Sequence, residues 1–159
     1  MKIIANYRCV TGEGPIWHAK KQKLYWVDIP RGYLFAYDPK SGTHEKVFEG
    51  PQIAGITVQE NGALLLFMEG CAVSEWNGEL LTPLVECIEG EEDSRFNDVI
   101  AAPDGSVFCG TMPTNSHNGT LYRLNTDGSI IPVVMDVGIS NGLGFNSSLT
   151  HMYHTDSTA

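Results

Sequence analysis

Four positions recur in the sequence at a nearly constant spacing, and three of them carry side-chain oxygens. They are Glu13, Ala54, Asn97 and Asn141, at intervals of 41 to 44 residues. A carboxylate and two amide carbonyls are ligand types that a hard divalent cation such as Ca²⁺ or Mg²⁺ accepts. If the fold brings these positions together, the spacing predicts an oxygen-lined cation site.

The same residue types also suit turns. Asn97 and Asn141 can cap turns through hydrogen bonds between side chain and backbone, and Glu13 stands between two glycines. The spacing alone leaves a cation site and turn chemistry both open, and the choice depends on the elements that carry these residues.

Those elements are predicted to be short β-strands. Seven runs are rich in Val, Ile, Leu and aromatic residues, namely KLYWVDI, YLFAYD, EKVFEG, ALLLFMEG, SVFCGTM, TLYRLN and IIPVVMD. Turn signals such as DPKSG, WNG, PDG and NTDG separate them, and no stretch keeps the helical period over three turns. The sequence therefore predicts an all-β protein.

The strands repeat with the same period as the oxygen-bearing positions. The first strands are EGPIW (13–17), AGITV (54–58), NDVIA (97–101) and NGLGF (141–145). A second strand follows each of them, and a third and a fourth follow in the first three repeats. Four strands in roughly 40–45 residues form the blade of a β-propeller. Because the first strand of each blade lines the central channel, positions 13, 54, 97 and 141 are predicted to surround one axis.

Six motifs follow one another along the chain. They are GEGPIW (12–17), LYWVDI (24–29), RFND (95–98), GTM (110–112), SNGLGF (140–145) and TDS (155–157). Together they resemble the SMP-30/gluconolactonase/luciferin-regenerating family, which includes regucalcin. The resemblance implies a six-bladed propeller with one divalent metal ion in its channel and an enzyme that hydrolyses sugar lactones. Ca²⁺ is the ion expected first, with Zn²⁺, Mg²⁺ and Mn²⁺ also open.

A six-bladed ring at this period needs more residues than the chain has. Residues 1–159 are therefore expected to form a partial propeller domain, with blades 1 to 3 and the start of blade 4. The resemblance implies that the Asp acting as general base belongs to a later blade, beyond residue 159. The 159-residue chain is accordingly expected to be inactive on its own and to self-associate through open propeller edges.

The resemblance also implies roles for four residues. Glu13 in GEGP and Asn141 in SNG match metal ligands, whereas Arg95 and Asn97 in RFND match residues that contact substrate oxygens. The forked donors of an arginine suit the hydroxyl and carboxylate groups of a sugar acid. Arg95 could alternatively neutralise the acidic run EGEED (89–93), but an exposed ion pair contributes little and requires no particular spacing.

Other polar residues fit structural roles better. Asp28 and Asp156 end second strands and are expected to accept backbone N–H groups of the following turns. Asp98 should point away from the Asn97 face, because side chains alternate along a strand. The five histidines show no zinc-ligand pattern. The loop 113–119 has no carboxylate where the regucalcin branch carries a Glu near the substrate, so the identity of the lactone stays open.

The composition argues against two classes of partner and is compatible with a cation or a neutral small molecule. The formal charge of −9 argues against nucleic acid and against an anionic membrane surface. No apolar run approaches 18 residues and the start does not resemble a signal peptide, so a cytoplasmic location is expected.

Cys9, Cys71, Cys87 and Cys109 show no CxxC spacing and are expected to be reduced core thiols. Residues 2–10 are predicted to form a strand.

Two alternatives belong to other functional classes. The first is a propeller that binds calcium or a protein partner without catalysis; a downstream Asp aligned with position 141 would argue against it. The second is an esterase or synthase of the strictosidine-synthase-like propellers. The channel of that group need not combine Glu13 with Asn141, so the presence of this pair argues against it.

Overall fold

The protein is built almost entirely from β-strands, as seen in a computed structural model that describes residues 2–159. One 3₁₀ turn, Ile29–Arg31, accompanies the strands. The strands are β1 (Gly12–His18), β2 (Lys23–Asp28), β3 (Tyr33–Asp38), β4 (Thr43–Glu49), β5 (Ile53–Val58), β6 (Leu64–Met68), β7 (Val73–Trp76), β8 (Leu81–Val85), β9 (Phe96–Ala101), β10 (Val107–Thr111), β11 (Gly119–Leu124), β12 (Ile130–Val137), β13 (Ser140–Phe145) and β14 (Met152–Asp156). Within residues 2–159, no helix is long and apolar enough to cross a membrane. The prediction of an all-β protein is confirmed.

The strands form three four-stranded antiparallel sheets and one hairpin. Sheet 1 contains β1 to β4, sheet 2 contains β5 to β8, sheet 3 contains β9 to β12, and β13 pairs with β14. Neighbours in sequence are neighbours in each sheet because short turns connect them. In the turn from β9 to β10, for example, Gly105 takes a left-handed φ of 86° and Asp104 accepts the Ser106 N–H at 3.1 Å.

The first strands of the sheets pack side by side in chain order. β1 contacts β5, β5 contacts β9, and β9 contacts β13. The approach of β5 to β9, and that of β10 to β13, require glycine. A Cβ on Gly55 would lie 2.6 Å from Cγ2 of Val99, and a Cβ on Gly110 would collide with the side chain of Ser140. Positions 13, 54, 97 and 141 therefore lie on four adjacent strands.

The hydrophobic core fills the spaces between successive sheets. Phe48 and Trp76 meet at the boundary of sheets 1 and 2, with ring centroids 6.0 Å apart. Phe67 and Phe96 pack edge to face at 5.3 Å between sheets 2 and 3. Edge-to-face rings add a directional attraction to the burial of apolar surface. This packing fixes how one sheet is set against the next, and so how the first strands converge.

The predicted strand at residues 2–10 is wrong, because this segment contains no strand. It lies instead across a face of sheet 1. The ring of Tyr7 stacks on Phe35 with centroids 4.1 Å apart, and its hydroxyl is 2.8 Å from Nδ1 of His44. Ile3 remains 75% exposed. Aromatic packing, rather than a ladder of backbone hydrogen bonds, holds the segment in place.

Candidate functional site

Glu13 and Asn141 occupy the same local structure in two different sheets. Each is followed by a glycine in the left-handed region, Gly14 with φ 59° and Gly142 with φ 57°. The pairing register shifts directly after Glu13 in β1 and directly after Asn141 in β13. Such an irregularity bends a strand and re-aims its side chains. A glycine after the repeated polar position is thus a sequence signal for this bend, and the spacing of the polar positions alone does not contain it.

Glu13 lines a cavity of about 260 Å³ between three first strands. Ala54 and Gly55 of β5 and Asp98 of β9 contribute to its wall. The Glu13 side chain is exposed, and its carboxylate accepts no hydrogen bond from any other part of residues 2–159. It is therefore available to a cation or to a substrate hydroxyl.

Arg95 lies just before β9, beside a cleft of about 580 Å³. Its Nη1 donates to the carbonyl of Phe96 at 2.8 Å and to Oδ1 of Asn97 at 3.3 Å. Burial lowers the pKa of the Arg95 guanidinium, and the negative charge of Glu13 opposes that shift. An arginine keeps its proton through such a shift. Arg95 and Glu13 line two different cavities, and no ion pair joins them within residues 2–159.

Arg95 forms no ion pair with the acidic run 89–93 in the part of the chain that the structure describes. Glu92 and Asp93 line the same cleft, together with Glu69, which follows β6. The alternative that Arg95 only neutralises its acidic neighbours therefore has no direct contact to support it. The side chain is instead turned towards Asn97 and β9.

Asn97 is more enclosed than a substrate contact was expected to be, with 7% of its surface exposed. Its Nδ2 donates to the carbonyl of Ser140 at 2.9 Å, which ties β9 to β13. Its Oδ1 accepts a hydrogen bond from Nη1 of Arg95. The amide therefore bridges two sheets, which differs from the local turn cap considered as the alternative.

Asn141 is half-buried, and its Oδ1 accepts the N–H of Gly142 at 3.0 Å. This contact is the local side-chain-to-backbone bond of the turn interpretation. An amide oxygen has two lone pairs, so the second remains available to a cation. The structure thus leaves Asn141 able to serve both roles.

The amino-acid profile of the SMP-30/Gluconolactonase/LRE-like region matches residues 11–159. The chain belongs to this family. It is 42% identical over 156 residues to the pentonolactonase XacC of Haloferax volcanii, covering 98% of this chain and 53% of that protein. It is 31% identical over 159 residues to the 6-deoxy-6-sulfogluconolactonase of Pseudomonas putida, covering 98% of this chain and 55% of that protein.

Solved structures of the same family share the fold. The calcium-binding protein regucalcin of Agrobacterium tumefaciens superposes with a TM-score of 0.84 at 21% identity, over 94% of this chain and 52% of that one. A luciferin-regenerating enzyme superposes with a TM-score of 0.82 at 26% identity, over 94% and 53% of the respective chains. The chain spans about half the length of the curated relatives it matches. The predicted β-propeller of this family is confirmed.

This family member offers oxygen ligands for a metal ion but too few to enclose one. Glu13 has a carboxylate without a protein partner, and Asn141 has a spare lone pair. Within residues 2–159, no group of three or more His, Cys, Asp or Glu side chains is placed to hold a metal ion. The donor chemistry fits a hard cation, which takes six to eight oxygens as Ca²⁺. Most of that shell would have to come from water or from other groups.

Asp98 follows Asn97 in β9 and is expected to point to the opposite face of the strand. It lines the cavity that contains Glu13. Its Oδ1 accepts the N–H of Val99 at 2.9 Å and its Oδ2 accepts the N–H of Leu143 at 3.0 Å. Asn97 does not line that cavity, which agrees with the alternation of side chains along a strand. Asp98 thus has the structural role expected of it, but performs it in the channel wall.

Asp28 and Asp156 accept backbone N–H groups as expected, but mainly from another segment. Oδ1 of Asp28 accepts the N–H groups of Val10 and Thr11, both at 3.0 Å. The carboxylate of Asp156 accepts those of Gly138 at 2.8 Å and Ile139 at 3.0 Å. In both cases these donors precede the first strand of the sheet. Each carboxylate also bonds the turn after it: Asp28 accepts a hydrogen bond from Nη1 of Arg31 at 3.1 Å, and Asp156 accepts the N–H of Thr158 at 2.9 Å.

The four cysteines are free thiols, but only two of them lie in the core. Cys71 and Cys109 are buried, Cys9 is half-buried and Cys87 is exposed. Burial raises the pKa of the Cys71 thiol to about 12, so it remains protonated at neutral pH. The expectation of four core thiols is therefore wrong for Cys87, which lies on the surface between β8 and β9.

Proposed function

We propose that the protein hydrolyses a sugar lactone in the propeller channel, with one divalent cation bound by Glu13 and Asn141. The observation that carries the proposal is that the partner-free carboxylate of Glu13 lines a cavity between the first strands of three sheets, while Arg95 borders an open cleft just before the first strand of sheet 3. The relatives from Haloferax and Pseudomonas are named as lactonases, which supports this reaction class. Ca²⁺ is the proposed ion, and Zn²⁺, Mg²⁺ and Mn²⁺ are its competitors.

Arg95 is the residue proposed to orient the lactone. Its Nη1 is engaged by Phe96 and Asn97, which leaves its other N–H groups free to meet substrate oxygens. The rigid fork of the guanidinium favours a pair of oxygens over a single one. Neighbouring hydroxyls of a sugar ring, or the carboxylate formed on ring opening, present such a pair.

Asn97 is proposed to touch the substrate at the channel wall while it holds Arg95 in place. After its bonds to Ser140 and Arg95, the amide keeps one N–H and one lone pair. At 7% exposure, contact requires a substrate hydroxyl to reach the wall itself. Asn97 would therefore favour a lactone whose ring binds deep enough in the channel for a hydroxyl to reach the wall.

The chemical step needs an electrophilic carbonyl and a base. When bound, a divalent cation polarises an ester carbonyl and stabilises the negative charge that develops on its oxygen. Glu13 is assigned to the cation, and the carboxylate of Asp98 is held by two backbone N–H groups. The base that takes the proton from the attacking water is therefore proposed to be a carboxylate outside residues 1–159, as the family resemblance implies.

Acid release in a pH-stat, with gluconolactone and pentonolactones as substrates, tests this function. Two proteins should be compared: the 159-residue chain, and a protein in which this chain is continued to the length of its relatives, here named the extended protein. We expect the extended protein to hydrolyse lactones, to lose activity in EDTA and to regain it with one of the four ions. We expect no useful activity from the 159-residue chain. Calcium binding by the extended protein without hydrolysis would instead support the non-catalytic calcium-binding propeller.

A further inference from the structure

Glu91 is a buried acidic residue that the proposed reaction does not use. It lies in the loop between β8 and β9 and is 3% exposed. Its Oε1 accepts hydrogen bonds from the hydroxyl of Thr111 at 3.1 Å and from the hydroxyl of Tyr122 at 3.0 Å. Its Oε2 is buried and has no hydrogen-bond partner among residues 2–159.

Core stability alone does not account for a carboxyl group at this position. Transfer of a carboxyl group from water into the interior costs free energy, and one oxygen recovers none of that cost through a hydrogen bond. No arginine, lysine or histidine forms an ion pair with Glu91 in the described part of the chain. An apolar side chain of similar volume would fill such a space at lower cost. The carboxyl group is therefore better explained by the residues that it connects.

The loop that carries Arg95 is attached to the end of β10 at two consecutive residues. At one end of the loop, the Glu91 carboxylate binds the hydroxyl of Thr111. At the other end, the carbonyl of Arg95 accepts the N–H of Met112 at 2.9 Å. Between them, the hydroxyl of Ser94 donates to the carbonyl of Met112 at 2.7 Å. The hydrogen bond of Glu91 is thus one of the contacts that fix the position of Arg95 relative to sheet 3.

Sheet 1 and the hairpin make an equivalent attachment, but there the strand end supplies the acceptor and the preceding segment supplies the donors. The residue that ends the second strand is Asp28 in sheet 1 and Asp156 in the hairpin, and each accepts N–H groups from the segment before its own first strand. In sheet 3 the corresponding residue is Thr111, a hydroxyl donor, and the acceptor Glu91 comes from the loop. In sheet 2 the corresponding residue is Met68, which has neither group. In sheet 3, Glu91 of the loop therefore supplies the carboxylate that the end of the second strand lacks. Sheet 3 is also the sheet that presents Arg95.

We propose that Glu91 is a positioning residue: its carboxylate attaches the 91–95 loop to β10 and β11 and thereby holds Arg95 against Asn97 at the cleft. The inference rests on the proposed function only for the substrate role of Arg95. The attachment itself concerns the fold of the loop and can be measured without any activity.

The first experiment measures amide hydrogen exchange in the 159-residue chain. In Glu91→Ala, we expect the amides of Ser94 and Met112 to exchange about tenfold faster, because the loop opens locally. Glu91→Gln keeps an acceptor oxygen for both hydroxyls and should stay close to the parent. Tyr122→Phe should give a partial effect, and Tyr25→Phe, the same change at a tyrosine in sheet 1, should give none. Unchanged exchange at Ser94 in Glu91→Ala, or equal acceleration in all sheets, would overturn the proposal.

The second experiment is a double-mutant cycle in the extended protein, with Glu91→Ala and Arg95→Ala alone and together. If Glu91 acts through Arg95, each single variant lowers kcat/KM for the lactone, and the double variant is no worse than Arg95→Ala. Glu91→Gln should restore most of the rate. Losses that multiply would assign Glu91 a role independent of Arg95 and refute the positioning. If Arg95→Ala leaves the kinetics unchanged, the substrate role of Arg95 fails, while hydrogen exchange still decides whether Glu91 anchors the loop.

Discussion

The side-chain amide of Asn97 donates a 2.9 Å hydrogen bond to the main-chain carbonyl of Ser140, joining the first strand of sheet 3 to the first strand of the hairpin. The oxygen of the same amide accepts a hydrogen bond from the guanidinium of Arg95. A residue expected to contact substrate is therefore also part of the connection between two sheets. Its replacement should affect stability as well as catalysis.

Asn97→Ala should lower the free energy of unfolding by about 1–3 kcal/mol, because the buried carbonyl of Ser140 loses its side-chain donor and a small void remains. Urea denaturation followed by tryptophan fluorescence measures this change. Asn118→Ala, at an exposed asparagine whose side chain makes no hydrogen bond within residues 2–159, is the control. Equal midpoints for both variants would show that the link to Ser140 contributes nothing to stability.

Arg95→Ala in the extended protein should reduce lactone hydrolysis far more than it reduces stability. The guanidinium borders an open cleft, and its protein contacts involve one of its nitrogens. Steady-state kinetics and thermal melting should be recorded together. The matched control is Arg123→Ala, which removes a half-buried arginine bonded to Asp104 and Ser106. Unchanged kinetics with a lowered melting temperature in Arg95→Ala would make Arg95 a structural residue.

Calcium binding to the 159-residue chain should be weak, with a dissociation constant above about 10⁻⁴ M, since two protein ligands leave most of the coordination shell to water. Isothermal titration calorimetry measures the affinity. Glu13→Gln should weaken binding further because it removes the only charged ligand proposed here. Glu79→Gln, at an exposed turn glutamate, should bind like the parent. A tight site, or one indifferent to Glu13→Gln, would contradict the assigned ligands.

The 159-residue chain should self-associate through its exposed apolar strands. On β12, Val133 is 47% exposed and Met135 is 69% exposed, and β14 pairs on one edge only. Such surfaces favour pairing with another copy. Size-exclusion chromatography with light scattering should show a mass above the monomer, and Val133→Lys with Met135→Lys should reduce it. Thr82→Lys, at an exposed polar residue of β8, is the control and should leave the mass unchanged. A monomeric parent chain would refute this prediction.

Acid should destabilise the hairpin of β13 and β14 through Asp156. Backbone N–H groups of Gly138, Thr158 and Ile139 hold the pKa of this carboxylate well below its usual value. Because the folded pKa is depressed, the stabilisation is present above the unfolded pKa and is lost as the pH falls below about 5. Urea midpoints between pH 3 and 7 should fall more steeply for the parent than for Asp156→Asn. Parallel curves for the two proteins would show that Asp156 contributes nothing to the pH dependence.

The repeated strands and the family motifs could be read from the sequence because both are carried by short, local patterns. Turn residues and apolar runs predicted the strands, and the spacing of Glu13, Asn97 and Asn141 placed these residues on neighbouring first strands. The strand prediction for residues 2–10 was wrong because an apolar run does not show whether it pairs with a strand edge or packs through its side chains. Here the ring of Tyr7 packs on Phe35, and the segment does not pair with a strand.

Tertiary structure decided where the side chains point and what they bond. Left-handed glycines after Glu13 and Asn141 bend their strands, and the Asp98 carboxylate reaches β13 from the channel wall. Asn97 and Glu91 owe their partners to segments that are distant in sequence. Periodicity specifies which face of a strand a residue occupies on average. The contacts between sheets depend on how the sheets pack against one another, which periodicity along a single strand does not specify.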